Sequence, residues 1–327
     1  MKNIGLVGLG FIGKTHLQAY QYIDNAQVVS ICTQNNEVNS YNGSIVANYE
    51  ELLSNKAIDI IDICLPTYLH EEYIIKAANA GKHIICEKPL TLSTSSAERI
   101  LEAIQKNGVR LFVGHILRFW PEYELIKALS KTEQLNQIEI IHAKRLGMNP
   151  TWSDWFRYPE KSGGALYDLH IHDIDFVYYL QGKVDSVYAV GTKNEQGAWN
   201  HVMTTLTFKN HAKAFVEASQ TMPKGYPFTM SLRAQTSNNT IELNIAAGDN
   251  IENINESNNQ FLFYENGDKT VLGVKKEDAF EKELSYFVHC VESGEENSIV
   301  PIEDVQYTLK LLEAIQRSLE TGLVVKV

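Results

Sequence analysis

At 327 residues the chain is long enough for about two domains, each with its own buried core. Hydrophobic residues make up 44% and charged residues 21%, the composition of a globular protein rather than a disordered one. A net charge of −11 opposes binding to phosphate backbones or anionic lipid, and no apolar run approaches the ~18 residues that span a bilayer, so nucleic-acid and membrane roles are set aside.

The chain opens with Met1-Lys2 and an apolar stretch, Ile4–Gly13, that has the outline of a secretion signal. Glycines at 5, 8, 10 and 13 and the lack of a nearby small-residue cleavage site make it part of the fold instead. Ile4–Gly8 is a short strand that runs into Gly8-Leu-Gly10-Phe11-Ile12-Gly13, followed by a helix through about Tyr22 and a strand over Gln27–Cys32. Strand, GxGxxG and helix in this order form a dinucleotide-binding signature. The first glycine permits the turn, the second admits a pyrophosphate, and the third lets the helix approach the sheet. The helix N-terminus then offers N–H donors to the phosphates.

The rhythm repeats. Strands are predicted over Ala57–Leu65, Lys82–Cys86 and Arg110–Val113, with helices over Tyr68–Ala80 and Ser93–Lys106. Continuous apolar strands alternating with helices mean a parallel sheet covered on both faces, with ligands at the carboxyl ends of its strands. After the second strand, about 20 residues past the motif, an acidic residue would select NAD. Thr33 and Gln34 stand there, followed by Asn35 and Asn36, so NAD and NADP both stay open. Later strand ends carry Leu65-Pro66-Thr67 with His70, and then Glu87-Lys88-Pro89. Lys88 falls where the nicotinamide half would lie, and its charge suits holding a substrate oxygen as it becomes an alkoxide.

From about Phe119 the pattern changes. Strands are predicted over Gln137–Arg145, Val184–Gly191, Val202–Phe208, Ala212–Ser219, Pro227–Ala234 and Thr240–Leu243, joined by short turns, which indicates an antiparallel sheet in an α+β second domain. Asn250–Gln260 reads as a loop, and amphipathic helices are predicted over Asp278–Glu292 and Glu303–Glu320. The expected division is 1–120 and 121–327. The cysteines, Cys32, Cys64, Cys86 and Cys290, are widely spaced and include no CxxC, which argues against a zinc site or a disulfide framework and for the reducing cytoplasm.

Between Gly163-Gly164 and Gln181-Gly182 the sequence predicts a single helix over Ala165–Leu180. Leu166, Leu169, Phe176, Val177 and Leu180 share one stripe and Ile171 and Ile174 cover other faces, so the helix is mostly buried. Yet five of the eight residues from 168 to 175 are ionisable. Asp168, His172 and Asp175 fall on one stripe, which suits a general acid–base histidine beside carboxylates. His170 and Asp173 point elsewhere and read as core polar groups. Asp168-x-His170-x-His172 would chelate a metal from a strand, but the helical flanks turn the two histidines apart, so no metal is expected.

Taken together these residues resemble the Gfo/Idh/MocA oxidoreductases, the glucose–fructose oxidoreductase and inositol dehydrogenase group. The likeness runs through Gly8–Gly13 with His16, Pro66-Thr67 with His70, Glu87-Lys88-Pro89, and Gly114-His-Ile-Leu-Arg118-Phe119. It continues through Trp152-Ser-Asp-Trp155-Phe, the Gly163-Gly164…Asp168…His172…Asp175 run and Ser318-Leu-Glu-Thr-Gly322. The resemblance implies a Rossmann domain followed by an α/β domain on an open, mostly antiparallel sheet, with the last helix, about 303–320, packing back on the first domain, and dimers or tetramers formed through the sheet face. It also implies a catalytic trio of Lys88, Asp168 and His172. Thr33 departs from the acidic residue that many NAD-using members carry.

The expectation is therefore an NAD(P)-dependent dehydrogenase acting on a secondary alcohol of a sugar, polyol or cyclitol. Its cofactor contacts would be Gly8, Gly10, Phe11, Ile12, Gly13, Thr33, Gln34, Leu65, Pro66, Thr67, His70, Glu87 and Lys88. Its substrate contacts would be Lys88, Arg118, Trp155, Asp168 and His172. A silent dinucleotide-binding regulator and an NAD-assisted glycoside-cleaving enzyme are the alternatives on the same fold.

Overall fold

In the computed structural model, residues 1–34, 41–150, 153–248 and 258–327 are described. They fall into two compact units: Met1–Phe119 with Glu277–Gln306, and Trp120–Lys276 with Tyr307–Val327. No helix among the described residues is long and apolar enough to cross a membrane.

The first unit holds a parallel sheet of β1 (Lys2–Val7), β2 (Ala26–Cys32), β3 (Ser44–Val46), β4 (Ile60–Ile63), β5 (His83–Glu87) and β6 (Leu111–Gly114), in the order β3-β2-β1-β4-β5-β6. Its helices are α1 (Phe11–Ala19), α2 (Tyr49–Ser54), α3 (His70–Asn79) and α4 (Thr94–Asn107). The central strands are apolar on both faces because both are covered, and Ile4, Leu6, Ile60, Ile61, Ile63 and Ile84 are fully buried. Ser93 starts α4 by accepting the Ser96 amide at 3.2 Å, as an N-cap serine does. β3 and α2 were not anticipated, since β3 is short and mostly exposed and α2 spans under two turns.

The second unit holds α5 (Pro121–Leu129), β7 (Ile140–Leu146), the short helical turns α6 (Pro159–Ser162) and α7 (Ala165–Asp168), and α8 (His170–Gln181). After them come β8 (Val184–Lys193), β9 (Trp199–Phe208), β10 (Lys213–Ser219), β11 (Thr229–Gln235), β12 (Asn239–Ala246), β13 (Asn258–Glu265) and β14 (Asp268–Val271). The nine-stranded sheet runs β14-β13-β12-β11-β7-β10-β9-β8-β15, with β15 at Val325–Lys326. Every pairing is antiparallel except β7 with β10. Alternation along the strands places Ile141, Ala143, Val202, Leu206, Val216 and Leu232 on a buried face.

Three expectations change. The helix predicted over Ala165–Leu180 is broken at Leu169, where the His172 amide bonds the Leu169 carbonyl three residues back and tightens the turn. The predicted loop at Asn250–Gln260 lies partly outside the described residues, and Asn258–Gln260 already belong to β13. The domain division is also discontinuous. The segment that returns to the first unit is the one bearing α9 (Ala279–Ser293), whose Glu292 bonds Asn25 and whose Cys290 carbonyl accepts from Arg110. Most of α10 (Ile302–Thr321) belongs to the second unit, where Thr308 bonds Asp175 and Ser318 bonds the Ala189 amide.

Candidate active site

In the first unit the glycine turn lies where the strand order reverses between β1 and β4, the position where such sheets open a crevice. Each glycine has its own reason. Gly8 has φ +89, and a Cβ there would lie 2.5 Å from the Cys64 carbonyl oxygen. A Cβ on Gly13 would lie 2.1 Å from the Gly8 oxygen, so only glycine lets α1 approach the turn this closely. At Gly10 a Cβ would meet nothing within 4 Å, which leaves open space on the ligand side. No side chain caps the helix at Gly10, so the amides of its first turn, from Phe11 to Gly13, are presented to that space. The turn fits a dinucleotide pyrophosphate.

At the end of β2 the Thr33 amide bonds the Val46 carbonyl at 3.1 Å and the Gln34 side chain bonds the Ala47 carbonyl at 3.1 Å. Neither residue carries a charge that would select for or against a ribose phosphate, and Asn35 and Asn36 lie outside the described residues.

The loops after β4 and β5 are tied together by His70, whose ring nitrogens lie 2.8 Å from the Leu65 carbonyl and 2.9 Å from the Pro89 carbonyl. Burial holds the His70 pKa below its usual value. His70 and Thr67, expected to touch cofactor, are buried; the His70 ring stands between the two loop carbonyls and, as a neutral ring, donates to one of them. Leu65, Pro66 and Lys88 are half-buried at the same strand ends. Glu87 is turned inward: one carboxylate oxygen lies 3.2 Å from His16 Nε2 and the other accepts the Lys88 amide at 3.1 Å. Arg118 is a first-unit residue expected to touch substrate. It is buried and donates to the Ile299 carbonyl at 2.8 Å and to Asp304 at 2.7 Å, which makes it an internal anchor of the first unit.

In the second unit, Gly163 and Gly164 at φ +70 and +66 set up α7, and a Cβ on Gly164 would lie 2.5 Å from the Trp199 carbonyl oxygen. The ionisable run then separates by burial. His170 and Asp173 are each 0% exposed and Asp175 is 1% exposed. His170 Nε2 lies 2.8 Å from Thr204 Oγ1, Asp173 receives Arg145 through two hydrogen bonds of 2.9 and 3.3 Å, and Asp175 accepts from Thr308 at 3.1 Å. Asp175 is thus a structural anchor, although the sequence stripe grouped it with His172. Asp168 and His172 remain half-buried, and Asp168 accepts a 2.7 Å hydrogen bond from Gln220. Trp155 is half-buried and stacked on Phe156 at 4.0 Å between ring centroids. Trp152 lies outside the described residues.

Sequence reasoning missed Gln220, Asp62 and Glu283. Asp62 had a signal that it shares with Asp59, a carboxylate inside the apolar run Ile58–Ile63. Glu283 and Gln220 had none, because their neighbours come from distant parts of the chain.

The family models agree with this division. A model described as an oxidoreductase family with an NAD-binding Rossmann fold matches residues 2–115, and the GFO/IDH/MocA C-terminal domain matches residues 123–243. The chain is 29% identical to the uncharacterized oxidoreductase YrbE of Bacillus subtilis, across 99% of this chain and 96% of that one. It is 27% identical to the myo-inositol 2-dehydrogenase of Thermotoga maritima, covering 97% and 96% of the two chains. Among solved structures, a putative NADPH-dependent oxidoreductase from Desulfitobacterium hafniense superposes with a TM-score of 0.88 at 20% identity, over 99% and 97% of the chains.

Proposed function

Because the chain belongs to the GFO/IDH/MocA oxidoreductase family and carries its NAD-binding Rossmann domain, we propose that it is a sugar or polyol dehydrogenase. It moves hydride between NAD or NADP and a secondary alcohol of a sugar, polyol or cyclitol. The observation that carries this reading is the sorting of the ionisable run. Asp168 and His172 keep solvent access while His170, Asp173 and Asp175 are locked into the core.

The bound nicotinamide supplies the hydride acceptor or donor. The chain's own residues handle the oxygen and its proton. His172 takes the hydroxyl proton during oxidation and returns it during reduction. Asp168, held by Gln220, orients the imidazole or a substrate hydroxyl, and Trp155 offers an aromatic wall to a sugar ring. Lys88 holds the reacting oxygen and stabilises its developing charge. The glycine turn and the half-buried residues Leu65 and Pro66 take the nucleotide.

The protein also acts as a homodimer or homotetramer. The solvent face of the second sheet supports this, because cross-strand neighbours Tyr188, Thr205, Phe215 and His142 form one row and Val190 and Met203 stand in the next. Phe215 and Met203 are each 47% exposed, more apolar surface than a sheet facing only water retains. All cysteines are free thiols, which supports a cytoplasmic location.

The test is titration with NAD and NADP separately, then a polyol and sugar panel followed by nicotinamide absorbance. His172→Ala is expected to lower turnover about 10²–10⁴-fold with nucleotide affinity retained. Unchanged turnover would overturn the role of His172. Nucleotide binding without reduction on any substrate would mark a silent regulator, and product formed without net reduced nicotinamide would mark the glycoside-cleaving alternative.

A further inference from the structure

Beneath the Lys88 backbone the first unit buries a cluster of ionisable groups. His16 on α1 has Nδ1 2.9 Å from Asp62 and Nε2 3.2 Å from Glu87. Carboxylates accept and do not donate, so a ring set between two of them donates from both nitrogens as the imidazolium. Burial opposes that charge, but the Asp62 carboxylate at hydrogen-bond distance outweighs it and the His16 pKa is raised. Burial likewise opposes the Glu87 charge, and His16 outweighs it, so Glu87 is lowered. Tyr20 donates to Asp62 at 3.0 Å, and Cys64 lies 3.7 Å from the other Asp62 oxygen.

Glu283 on α9 closes the cluster. It is buried, neither of its oxygens has a hydrogen-bond partner, and burial followed by the Glu87 charge raises its pKa, so it stays protonated. A Cβ on Gly114 would lie 3.0 Å from Glu87 Oε1 and 3.3 Å from Glu283 Oε2, so both carboxyl groups flank one backbone position. The Phe280 ring, 5.7 Å from the His16 ring, packs over the imidazole. One buried cation is therefore shared between two carboxylates, and the second of these also accepts the Lys88 amide.

We infer that His16 is a positioning residue for Lys88: the imidazolium on the glycine-turn helix grips the Glu87 carboxylate, and that carboxylate fixes the Lys88 backbone. The helix whose N-terminus receives the nucleotide thereby also sets the lysine. The inference rests on the reading of Lys88 as the group that holds the substrate oxygen. A displacement of about 1 Å in such a group costs on the order of 10²-fold in rate.

The experiment uses the full chain and follows labelling of Lys88 by trinitrobenzenesulfonate, with peptide mass spectrometry as the readout. Lys82 is the internal control, a lysine of the same unit whose amine donates to the Asn55 and Ile58 carbonyls at 2.8 Å each. In His16→Ala, Lys88 is expected to label about tenfold faster while Lys82 is unchanged and NADH affinity stays within about twofold, the pattern of a local release. Imidazole, which carries the charge, restores slow labelling; pyrazole, which has the shape without the charge, does not. Turnover on the best substrate of the panel falls about 10²-fold and recovers with imidazole.

Glu87→Gln keeps the side-chain volume and is expected to reproduce the Lys88 labelling. Combining it with His16→Ala adds little, because the two act as one unit. The inference is overturned if Lys88 and Lys82 accelerate together, if pyrazole restores as well as imidazole, or if Lys88 labelling does not change in either variant. His16, Asp62 and Cys64 also bring one nitrogen, one oxygen and one sulfur within 4.8 Å of one another. A stoichiometric metal ion lost in Cys64→Ser would overturn the protonated bridge. Lys88→Met tests the premise separately: full turnover in that variant refutes the role of Lys88, while Lys88 labelling in His16→Ala and Glu87→Gln still decides the clamp.

Discussion

Gly10 and Gly13 share one turn, yet they answer to different constraints, and alanine separates them. A Cβ on Gly10 enters open space, so Gly10→Ala should leave the melting temperature unchanged and weaken nucleotide binding at least about tenfold, measured by titration. A Cβ on Gly13 strikes the Gly8 carbonyl, so Gly13→Ala should lose stability as well, by about 1–3 kcal/mol in denaturant. His170 carries a pH prediction. Burial pushes its pKa down to about 3, so the unfolded chain binds the proton more readily than the folded one. Its stabilising contribution is complete above about pH 6.5 and is lost as pH falls toward the folded value. Between about pH 7 and about pH 5 the wild type should lose about 2 kcal/mol more than His170→Gln, which does not titrate. Equal acid slopes would refute the buried neutral imidazole. His16 has the opposite sign, since its raised pKa favours the fold at low pH and the contribution fades as pH rises through it.

At the scale of elements, α8 is fastened to the second sheet by charge as well as by apolar contact. Arg145 on β7 and Asp173 on α8 form a buried two-point pair. Arg145→Met or Asp173→Asn alone leaves its partner uncompensated and should cost about 3–5 kcal/mol in urea unfolding; Arg145→Met with Asp173→Leu should recover most of that loss. If the double variant is as unstable as the sum of the singles, the pair is not the fastening. The break at Leu169 was not legible, because period alone extends a helix through residues whose burial partners differ on either side. Asp168 looks to Gln220 while His170 looks to Thr204 on β9.

For the whole molecule, the sheet face bearing Tyr188, Val190, Met203 and Phe215 is the expected contact with a second copy. Phe215→Glu places a charge at its centre and should shift the sedimenting mass toward the monomer without lowering the melting temperature, since Phe215 contributes little to the core. An unchanged mass would remove this face from the assembly. The discontinuous division, with 277–306 joined to the first unit, arises because α9 buries Leu284, Phe287 and Val288, and the Phe287 ring packs tilted against Phe112 and edge-on to Phe119. An amphipathic pattern shows that a helix has a partner and does not say which one.

The parallel sheet, the glycine turn and its place at a strand end, the antiparallel second sheet and the candidacy of Lys88, Asp168 and His172 are all legible in the order of the amino acids. Those features are local: turn chemistry, strand period and the order of elements are written in neighbouring residues. Which ionisable groups keep access to solvent emerges only on folding. Arg118, His70 and Asp175 looked like site residues and became anchors once Asp304, the Leu65 and Pro89 carbonyls and Thr308 reached them. Burial and hydrogen-bond partners come from residues far apart in the chain, and they separate a buried anchor from a residue able to meet a substrate.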